Sequence, residues 1–245
     1  MASHFLDAQV LFLETRLISM TMSMRPSSLR KREAILTAAA DAFVLNGFDA
    51  VSMDDIAARA GVSKQTAYTH FHNKEKLFLE VIGRQTADAF DAASGELDDL
   101  DASDPEARLS RLGSRLLDAV LQPRLIALRR LVIAESRRFP ELAQAFWDGG
   151  PRRTIDDLAQ RFAAMCDAGL LDVPDTRTAA TTFNWLLMAG PINEAMFRAE
   201  AASPDAKRKQ EIVAEAVHVF LAAYGTKSRG SAAEAATTSP SGRRG

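Results

Sequence analysis

The sequence predicts an all-α protein, and three observations carry that prediction. Alanine is abundant, β-branched residues are sparse, and the alternation of apolar and polar residues that strands show is scarce. With 47% hydrophobic and 25% charged residues, the 245-residue chain has the balance of a globular protein and enough length to bury a core. No uninterrupted apolar run approaches the roughly 18 residues of a membrane span, which argues against an integral membrane protein.

Charge and cysteine content narrow the setting further. The 30 Lys and Arg against 32 Asp and Glu leave a net charge of −2, so any binding of nucleic acid depends on local positive charge. The single cysteine, Cys166, allows neither an intrachain disulfide nor a cysteine-based zinc site, and we expect it to be an inert thiol. These features predict a reducing, cytoplasmic location.

The two ends of the chain are not expected to belong to the folded body. Residues 1–24 contain the apolar run Val10–Leu13 but lack the pattern of a signal peptide. They are interpreted as a flexible arm or short helix or, because three methionines lie between residues 20 and 24, as an extension before the true start. Residues 226–245 are rich in small polar residues and are predicted to be disordered.

Capping residues define four helices in residues 28–93. The first is predicted from Ser28 to Leu45, and Asn46-Gly47 ends it. A capping box at Ser52 and Asp55 opens a short helix at residues 53–60, Gly61 supplies a tight turn, and Ser63 opens a second short helix at residues 64–71. A long helix follows at residues 74–93. Two short helices across a glycine turn are typical of a helix-turn-helix.

The second short helix predicts contacts with double-stranded DNA. Three of its polar side chains can reach base edges: Lys64, Gln65 and Thr69. Donors suited to phosphate lie on the same helix, at helix starts and in a basic arm: Arg30, Ser52, Ser63, Thr66, Tyr68, His70 and Lys74. Residues 25–78 carry eight Lys and Arg against six Asp and Glu, so positive charge is concentrated here. The alternative is a helix-turn-helix that serves only packing.

A set of motifs in this region matches a known family. The motifs are Ile35-Leu-x-Ala-Ala39, Phe43, Gly47-Phe48, Asp55-Ile56-Ala57, Ala60-Gly61-Val62-Ser63, Tyr68, His70-Phe71 and Asn73-Lys74-Glu75-x-Leu77. On them, residues 33–82, about a fifth of the chain, resemble the N-terminal domain of the tetracycline-repressor (TetR) family of transcription regulators. The resemblance implies that Thr66, Tyr68, His70 and Lys74 hold the DNA backbone and that Lys64, Gln65 and Thr69 read bases. Ala67 departs from the family, which often has a larger aliphatic residue there.

The rest of the chain is predicted to form a second helical bundle. After an acidic linker, Gly95–Asp104, helices are predicted near residues 105–121, 124–138, 141–147, 152–168, 172–201 and 205–224. Gly149-Gly150-Pro151 is expected to end the short helix at residues 141–147, and Gly190-Pro191 is expected to kink the long helix at residues 172–201. Leu131–Phe146 is similar to the ligand domain of AefR-like and AcrR-like members. The predicted domains are therefore a DNA-binding domain at residues 25–82 and a ligand-binding and dimerisation domain at residues 83–225.

Large apolar side chains in this bundle are candidates for binding a small hydrophobic or aromatic effector. Tryptophan and methionine suit an imprecise apolar ligand. The candidates are Phe146, Trp147, Phe162, Met165, Phe183, Trp185 and Met188. The alternative is that these residues simply fill the core.

The last helix predicts a homodimer because its apolar face is wider than one core contact needs. It carries two stripes, one of Ile212, Ala216, Val219 and Ala223 and one of Val213, Val217, Phe220 and Tyr224. A four-helix interface between two copies would present two recognition helices to major grooves about 34–36 Å apart, on a palindromic operator.

No catalytic, metal-binding or cofactor-binding constellation emerges. His70 and His72 are two residues apart and so lie on different helix faces, and neither a phosphate loop nor a nucleophile motif is present. The sequence therefore predicts a ligand-responsive DNA-binding regulator, most simply a repressor, with no membrane partner. A DNA-binding dimer without a ligand and a helical enzyme acting on an apolar substrate are the alternatives.

Overall fold

The computed structural model describes residues 26–94, 103–198 and 204–226, and these fold into helices. The first four are α1 (Pro26–Asn46), α2 (Met53–Arg59), α3 (Lys64–Phe71) and α4 (Lys74–Ala93). The others are α5 (Pro105–Val120), α6 (Pro123–Glu135), α7 (Pro140–Trp147), α8 (Arg153–Asp167), α9 (Thr176–Phe197) and α10 (Ala206–Tyr224). Within these ranges, β pairing is limited to one isolated bridge between Leu171 and Gly225. The predicted all-α fold is confirmed.

Several predictions concern residues that the structure does not describe. The N-terminal extension at residues 1–24, most of the acidic linker and the tail beyond Thr226 lie outside the described residues. Among the helices that are described, none combines the length and apolar character needed to cross a membrane.

Side-chain caps set the helix starts that the sequence predicts. The Ser52 hydroxyl accepts a hydrogen bond from the N–H of Asp55 at 3.1 Å, and the Asp55 carboxylate accepts one from the N–H of Ser52 at 3.0 Å. This reciprocal pair is the predicted capping box. Ser63 accepts from the N–H of Thr66 at the start of α3. Gly61, with a φ of +66°, makes the left-handed turn between α2 and α3.

Residues 26–87 and 127–149 form one compact unit. Its core contains the rings of Phe43, Phe48 and Phe78, whose centroids lie 5.6, 4.8 and 5.2 Å apart in pairs. Phe139, which precedes α7, packs edge-on against Phe48 at 5.1 Å. The segment that contains most of α6 and all of α7 therefore packs in one compact unit with the N-terminal helices.

The remaining described residues, from 88 to 126 and from 150 to 226, form the second compact unit. In it α9 packs against α8, and α10 packs against α5 and α9. The fully buried rings of Phe162, Phe183 and Phe220 lie with centroids 5.7, 4.9 and 5.0 Å apart in pairs. A phenylalanine cluster thus forms the centre of each unit.

α7 ends at Trp147, where the sequence predicts the end of this helix, but the chain does not form a loop at Gly149-Gly150-Pro151. Asp148–Arg152 form a π-helical turn that leads from α7 into α8. The i→i+5 hydrogen bonding of a π-helical turn interrupts the α-helical pattern for one turn, so α8 follows α7 without an intervening loop. Helix α9 runs through Gly190-Pro191 and ends at Phe197, before the predicted end at residue 201.

The end of α6 also differs from the prediction. The helix ends at Glu135 rather than at Arg138. The N–H groups of Arg138 and Phe139 both donate to the carbonyl of Glu135, at 3.0 and 2.8 Å, and close the helix in a tight turn. Pro140 favours this ending, because the residue before a proline is disfavoured in the helical conformation.

Candidate nucleic-acid interface

A small apolar contact between α2 and α3 holds the helix-turn-helix together. Ile56 and Ala57 of α2 and Ala67 and Phe71 of α3 are buried. The turn closes where the N–H of Val62 donates to the carbonyl of Ala57 at 3.0 Å. Because one side of α3 is used for this packing, its other side faces solvent.

The outward face of α3 carries the side chains that the sequence predicts to read bases. Gln65 and Thr69 are four residues apart and so share one helix face, and Lys64 lies before them at the start of α3. The exposed members are Lys64, Gln65, Tyr68 and Thr69, while Thr66 and His70 beside them are half-buried. A single polar helix of this kind matches the width of the DNA major groove.

Lys64 is paired within the protein. Its Nζ lies 2.7 Å from Oδ2 of Asp54 and 5.8 Å from the centroid of the Tyr68 ring. The hydrogen bond to Asp54 and the charge of that carboxylate raise the pKa of Lys64. DNA that engages Lys64 must therefore replace Asp54 as its partner.

The hydroxyl groups predicted to contact DNA also have local partners. The hydroxyl oxygens of Ser63 and Thr66 lie 2.8 Å apart, and Thr69 donates to the backbone carbonyl four residues earlier at 2.7 Å. Ser52 donates to the Asp55 carboxylate at 2.6 Å, and this bond holds the pKa of Asp55 below its usual range. Contacts of these hydroxyls with DNA would exchange one hydrogen bond for another.

His70 lies beside the basic side chains of α1. Burial lowers the pKa of His70, and the positive charges of Arg32 and Lys31 lower it further. At neutral pH the ring is therefore neutral and offers one N–H donor. Arg32 is ion-paired with Glu80, whereas Arg30 is exposed on α1.

Lys74 connects the start of α4 to the loop before α2. Its Nζ donates to the backbone carbonyl of Phe48 at 2.8 Å and lies 4.3 Å from the centroid of the Phe48 ring. One of its three N–H donors is used in this way, which leaves two for another acceptor. Sequence reasoning identified the charge of Lys74 but not this anchor, because the two residues are 26 positions apart.

An open cleft of about 340 Å³ lies between the loop before α2, α3 and the start of α4. It is lined by Asp49, Ala50, Val51, Ser52, Met53, Tyr68, Asn73 and Lys74. It therefore brings together Ser52, Tyr68 and Lys74, three of the residues predicted to contact phosphate. The first turn of α4, a 20-residue helix, adds the partial positive charge of a helix N-terminus.

Asp49 is an acidic member of this cleft that sequence reasoning did not identify. Nη1 of Arg138 lies 2.6 and 2.8 Å from its two carboxylate oxygens. The Arg138 guanidinium also lies 4.8 Å from the centroid of the Phe139 ring. No sequence pattern could indicate this pair, because 89 positions separate the two residues.

The residues predicted to bind an effector are divided between the two compact units. Phe146 and Trp147 belong to the first unit, and Phe162, Met165, Phe183, Trp185 and Met188 belong to the second. Phe162, Met165, Phe183 and Met188 are buried, as the alternative of core filling requires. Trp147 and Trp185 are 46% and 48% exposed, so they lie at the surface of their helices rather than on the wall of an enclosed pocket.

A mostly buried guanidinium lies next to Phe146. Arg129 is 5.4 Å from the centroid of the Phe146 ring, and burial lowers the pKa of Arg129. Its Nε is buried and has no hydrogen-bond partner among the described residues. The charge of Arg129 is therefore held by an aromatic face rather than by a carboxylate.

Comparison with known proteins agrees with this geometry. Residues 35–81 match the family described as bacterial regulatory proteins, tetR family, and residues 107–226 match the C-terminal domain of AefR-like transcriptional repressors. The crystal structure of a TetR-family regulator from Mesorhizobium loti MAFF303099 has a TM-score of 0.75 at 34% identity, covering 82% of this chain and 100% of that one. The flavonoid-responsive regulator FrrA has a TM-score of 0.64 at 29% identity, covering 81% of this chain and 99% of that one.

Curated relatives match over different lengths. The transcriptional regulator EthR of Mycolicibacterium smegmatis is 28% identical over 219 residues, which are 86% of this chain and 94% of that protein. A transcriptional activator of the same organism is 48% identical over 54 residues, but this chain covers only 25% of its length.

A helix-turn-helix with a polar outward helix, joined in one chain to a larger helical unit, defines a DNA-binding transcription regulator. The two family matches and the Mesorhizobium relative make the assignment specific, and the chain belongs to the TetR family of transcriptional regulators. The proteins of this family are regulators rather than enzymes, and they bind DNA and act as dimers.

Proposed function

We propose that this chain is a homodimeric repressor that binds a palindromic operator and releases it when a small hydrophobic molecule binds. The observation that carries the proposal is the exposed polar face of α3 beside the cleft at Lys74. Because the target is double-stranded DNA, we place the protein in the cytoplasm.

In this proposal α3 enters the major groove and reads bases. A lysine suits the O6 and N7 acceptors of guanine, so Lys64 contacts guanine once it leaves Asp54. A glutamine amide suits the N6 and N7 atoms of adenine, which assigns adenine to Gln65. Thr69 lies on the next turn of the same face and offers its methyl group to thymine or its hydroxyl to any base.

The cleft at Lys74 is the proposed site for a backbone phosphate. The two remaining N–H donors of Lys74, the Tyr68 hydroxyl and the first-turn amides of α4 all supply donors or positive charge there. Ser52 contributes after its hydroxyl exchanges Asp55 for phosphate. The other proposed backbone contacts are Arg30, Ser63, Thr66 and His70.

A homodimer through α9 and α10 is supported by apolar side chains that face solvent in a single chain. Trp185 and Leu186 of α9 and Val219 of α10 are 48%, 38% and 39% exposed. The other side of α10 is buried in its own unit through Val217 and Phe220. Large exposed apolar residues on two adjacent helices are typical of a surface that a partner covers.

Repression and ligand response are supported by the relatives. The C-terminal domain matches a description of repressors, and FrrA is named for its response to flavonoids. A small hydrophobic or aromatic effector then acts by binding one arrangement of the helices better than the other. The seven residues predicted to bind an effector remain the candidates for that contact.

The DNA contact is tested with purified full-length protein and a duplex that it selects from genomic fragments. Lys74→Ala should weaken binding about tenfold and reduce the slope of log affinity against log salt by about one per subunit. Lys76→Ala is the matched control, because Lys76 is an exposed lysine on the same helix turn outside the cleft. Equal effects of the two substitutions would contradict the assignment of the cleft.

A DNA-binding dimer without an effector is the second candidate. The close packing of Phe162, Phe183 and Phe220 favours it, because the centre of the second unit is filled by rings. A panel of hydrophobic aromatic compounds that includes a flavonoid separates the two candidates. An effector must raise the Tm and release the operator, whereas a ligand-free dimer shows neither response to any member of the panel.

A further inference from the structure

The proposed phosphate cleft contains an acidic group that opposes its function. Asp49 lines the cleft together with Ser52, Tyr68 and Lys74. A free carboxylate at this place repels a phosphate group and offsets part of the attraction of Lys74. Binding of DNA at the cleft therefore requires that the charge of Asp49 be neutralised.

Arg138 supplies that neutralising charge from a distant part of the chain. Its Nη1 contacts both Asp49 oxygens, at 2.6 and 2.8 Å. The position of Arg138 is supported by the next residue, since Phe139 packs against Phe48 at 5.1 Å and the Arg138 guanidinium lies over the Phe139 ring. Phe48 is also the residue whose carbonyl and ring hold Lys74.

We propose that Arg138 is a positioning residue for DNA binding, which masks the charge of Asp49 and so allows a phosphate to occupy the cleft. The proposal rests on the function proposed above, because it assumes that the cleft holds phosphate. Arg138 lies within residues 107–226, the part of the chain that matches the C-terminal repressor domain. A residue of the regulatory domain thus completes the charge balance of the DNA-binding site.

This role has a regulatory consequence. Arg138 lies in the short connection between α6 and α7. Any rearrangement of α6 or α7 that withdraws Arg138 from Asp49 exposes a negative charge in the cleft and weakens the hold on DNA. The side chains of Arg138 and Asp49 are both exposed to solvent, so their ion pair contributes little to folding stability and can be broken without unfolding the unit.

A double-mutant cycle with full-length protein tests the proposal. The variants are Arg138→Ala, Asp49→Asn and the double substitution, and the probe is the duplex selected by the wild-type protein, measured at low and at high salt. Arg138→Ala should weaken binding about three- to tenfold at low salt, and high salt should reduce this loss. In the Asp49→Asn background, the same substitution should change the affinity less than about twofold.

Rescue and stability measurements separate charge masking from a purely structural role. Arg138→Lys should restore most of the affinity because it restores the charge, and all variants should keep the wild-type Tm to within a few degrees. An equal loss from Arg138→Ala in both backgrounds would overturn the proposal and point to direct contact between Arg138 and DNA. No loss from Arg138→Ala would overturn it as well.

The outcome for Lys74 distinguishes this proposal from the proposed function. If Lys74→Ala weakens binding while the cycle shows no coupling, the phosphate site stands and only the masking role of Arg138 fails. If the wild-type protein selects no duplex at low salt, both fail together.

Discussion

At the scale of single residues, most side chains that the proposed function brings to DNA already have partners within the protein. Lys64 is paired with Asp54, Thr66 with Ser63, and Lys74 with the carbonyl of Phe48. DNA binding then replaces one set of hydrogen bonds with another, and its net gain is smaller than a count of contacts suggests. Partners with near-ideal geometry in the free protein also hold these side chains in place before DNA arrives.

His70 makes the stability of the N-terminal unit depend on pH. Its pKa is lowered by burial and by Arg32 and Lys31, so below the ordinary histidine pKa the unfolded chain binds more protons than the folded one. The free energy of unfolding should therefore rise with pH and fall as the pH drops through the ordinary value. His70→Asn should flatten the dependence of Tm on pH between about pH 5 and 7.

Salt provides the control for this pH dependence. The contributions of Arg32 and Lys31 are coulombic, so about 1 M salt should reduce them while the contribution of burial stays. If His70→Asn left the slope of Tm against pH as steep as in the wild type, the slope would have to come from other groups.

Arg129 offers a test of the cost of a buried charge. It is mostly buried against Phe146 and makes no ion pair with a described residue, so an apolar side chain of similar length should fit the site better. Arg129→Met should stabilise the protein by about 1 kcal/mol, a rise in Tm of about 2–4 °C. Arg137→Met, at an exposed position nearby, is the matched control and should change stability by less than about 0.5 kcal/mol. A lower Tm for Arg129→Met would show that the guanidinium is stabilising where it lies.

At the scale of elements, the sequence predicts helix starts well and some helix ends poorly. Starts are fixed by local chemistry, because a Ser or Asp side chain caps N–H groups two or three residues later, as Ser63 and Asp205 do. The end of α6 and the π-helical turn at Asp148–Arg152 depend instead on how the chain packs after them. The local sequence pattern therefore predicted the helix starts, but it did not predict the end of α6 or the π-helical turn.

In the candidate site too, the sequence predicted what depends on local spacing and missed what depends on contacts between distant segments. The face of α3 follows from helical spacing, and so Lys64, Gln65 and Thr69 could be named from the sequence. The cleft requires segments far apart in sequence, which is why Asp49 and Arg138 were not identified. The predicted effector residues rested on apolar character alone, which does not distinguish a pocket wall from a core or from a surface that a partner covers.

Two glycines provide a matched test of backbone conformation. An added Cβ meets nothing within 4 Å at Gly61 or at Gly83, so neither substitution causes a clash. Gly61 has a positive φ, and Gly61→Ala should cost about 1–2 kcal/mol for that reason alone. Gly83 lies inside α4, and Gly83→Ala should stabilise by about 0.5–1 kcal/mol. Denaturant unfolding measures both, and effects of the same sign would contradict the assigned conformations.

At the scale of the whole molecule, the proposed function depends on a second copy of the chain. Leu186→Glu places a charge on the apolar surface proposed for the dimer and should shift the protein towards monomer by at least about tenfold in dissociation constant. Ile133→Glu is the control, since Ile133 is an equally large exposed apolar residue that lies on α6, in the other compact unit. Analytical ultracentrifugation measures the dissociation constant of the dimer for both variants. Operator affinity should fall for Leu186→Glu and stay unchanged for Ile133→Glu.

If Leu186→Glu leaves the protein dimeric, the interface lies elsewhere on the surface. The intact dimer would still present two copies of α3, one from each monomer, so this variant should then keep its affinity for a palindromic duplex.

The packing of Phe139 on Phe48 has a practical consequence for anyone who recombines regulators of this kind. A fragment cut after residue 87 leaves behind the ring that covers Phe48 and the arginine that balances Asp49. If this N-terminal fragment is joined to the C-terminal domain of another regulator, the Phe48 ring is left uncovered and Asp49 unpaired at the proposed DNA-binding surface. A functional chimera should therefore contain residues 127–149 as well as the N-terminal fragment, because the two segments form one compact unit.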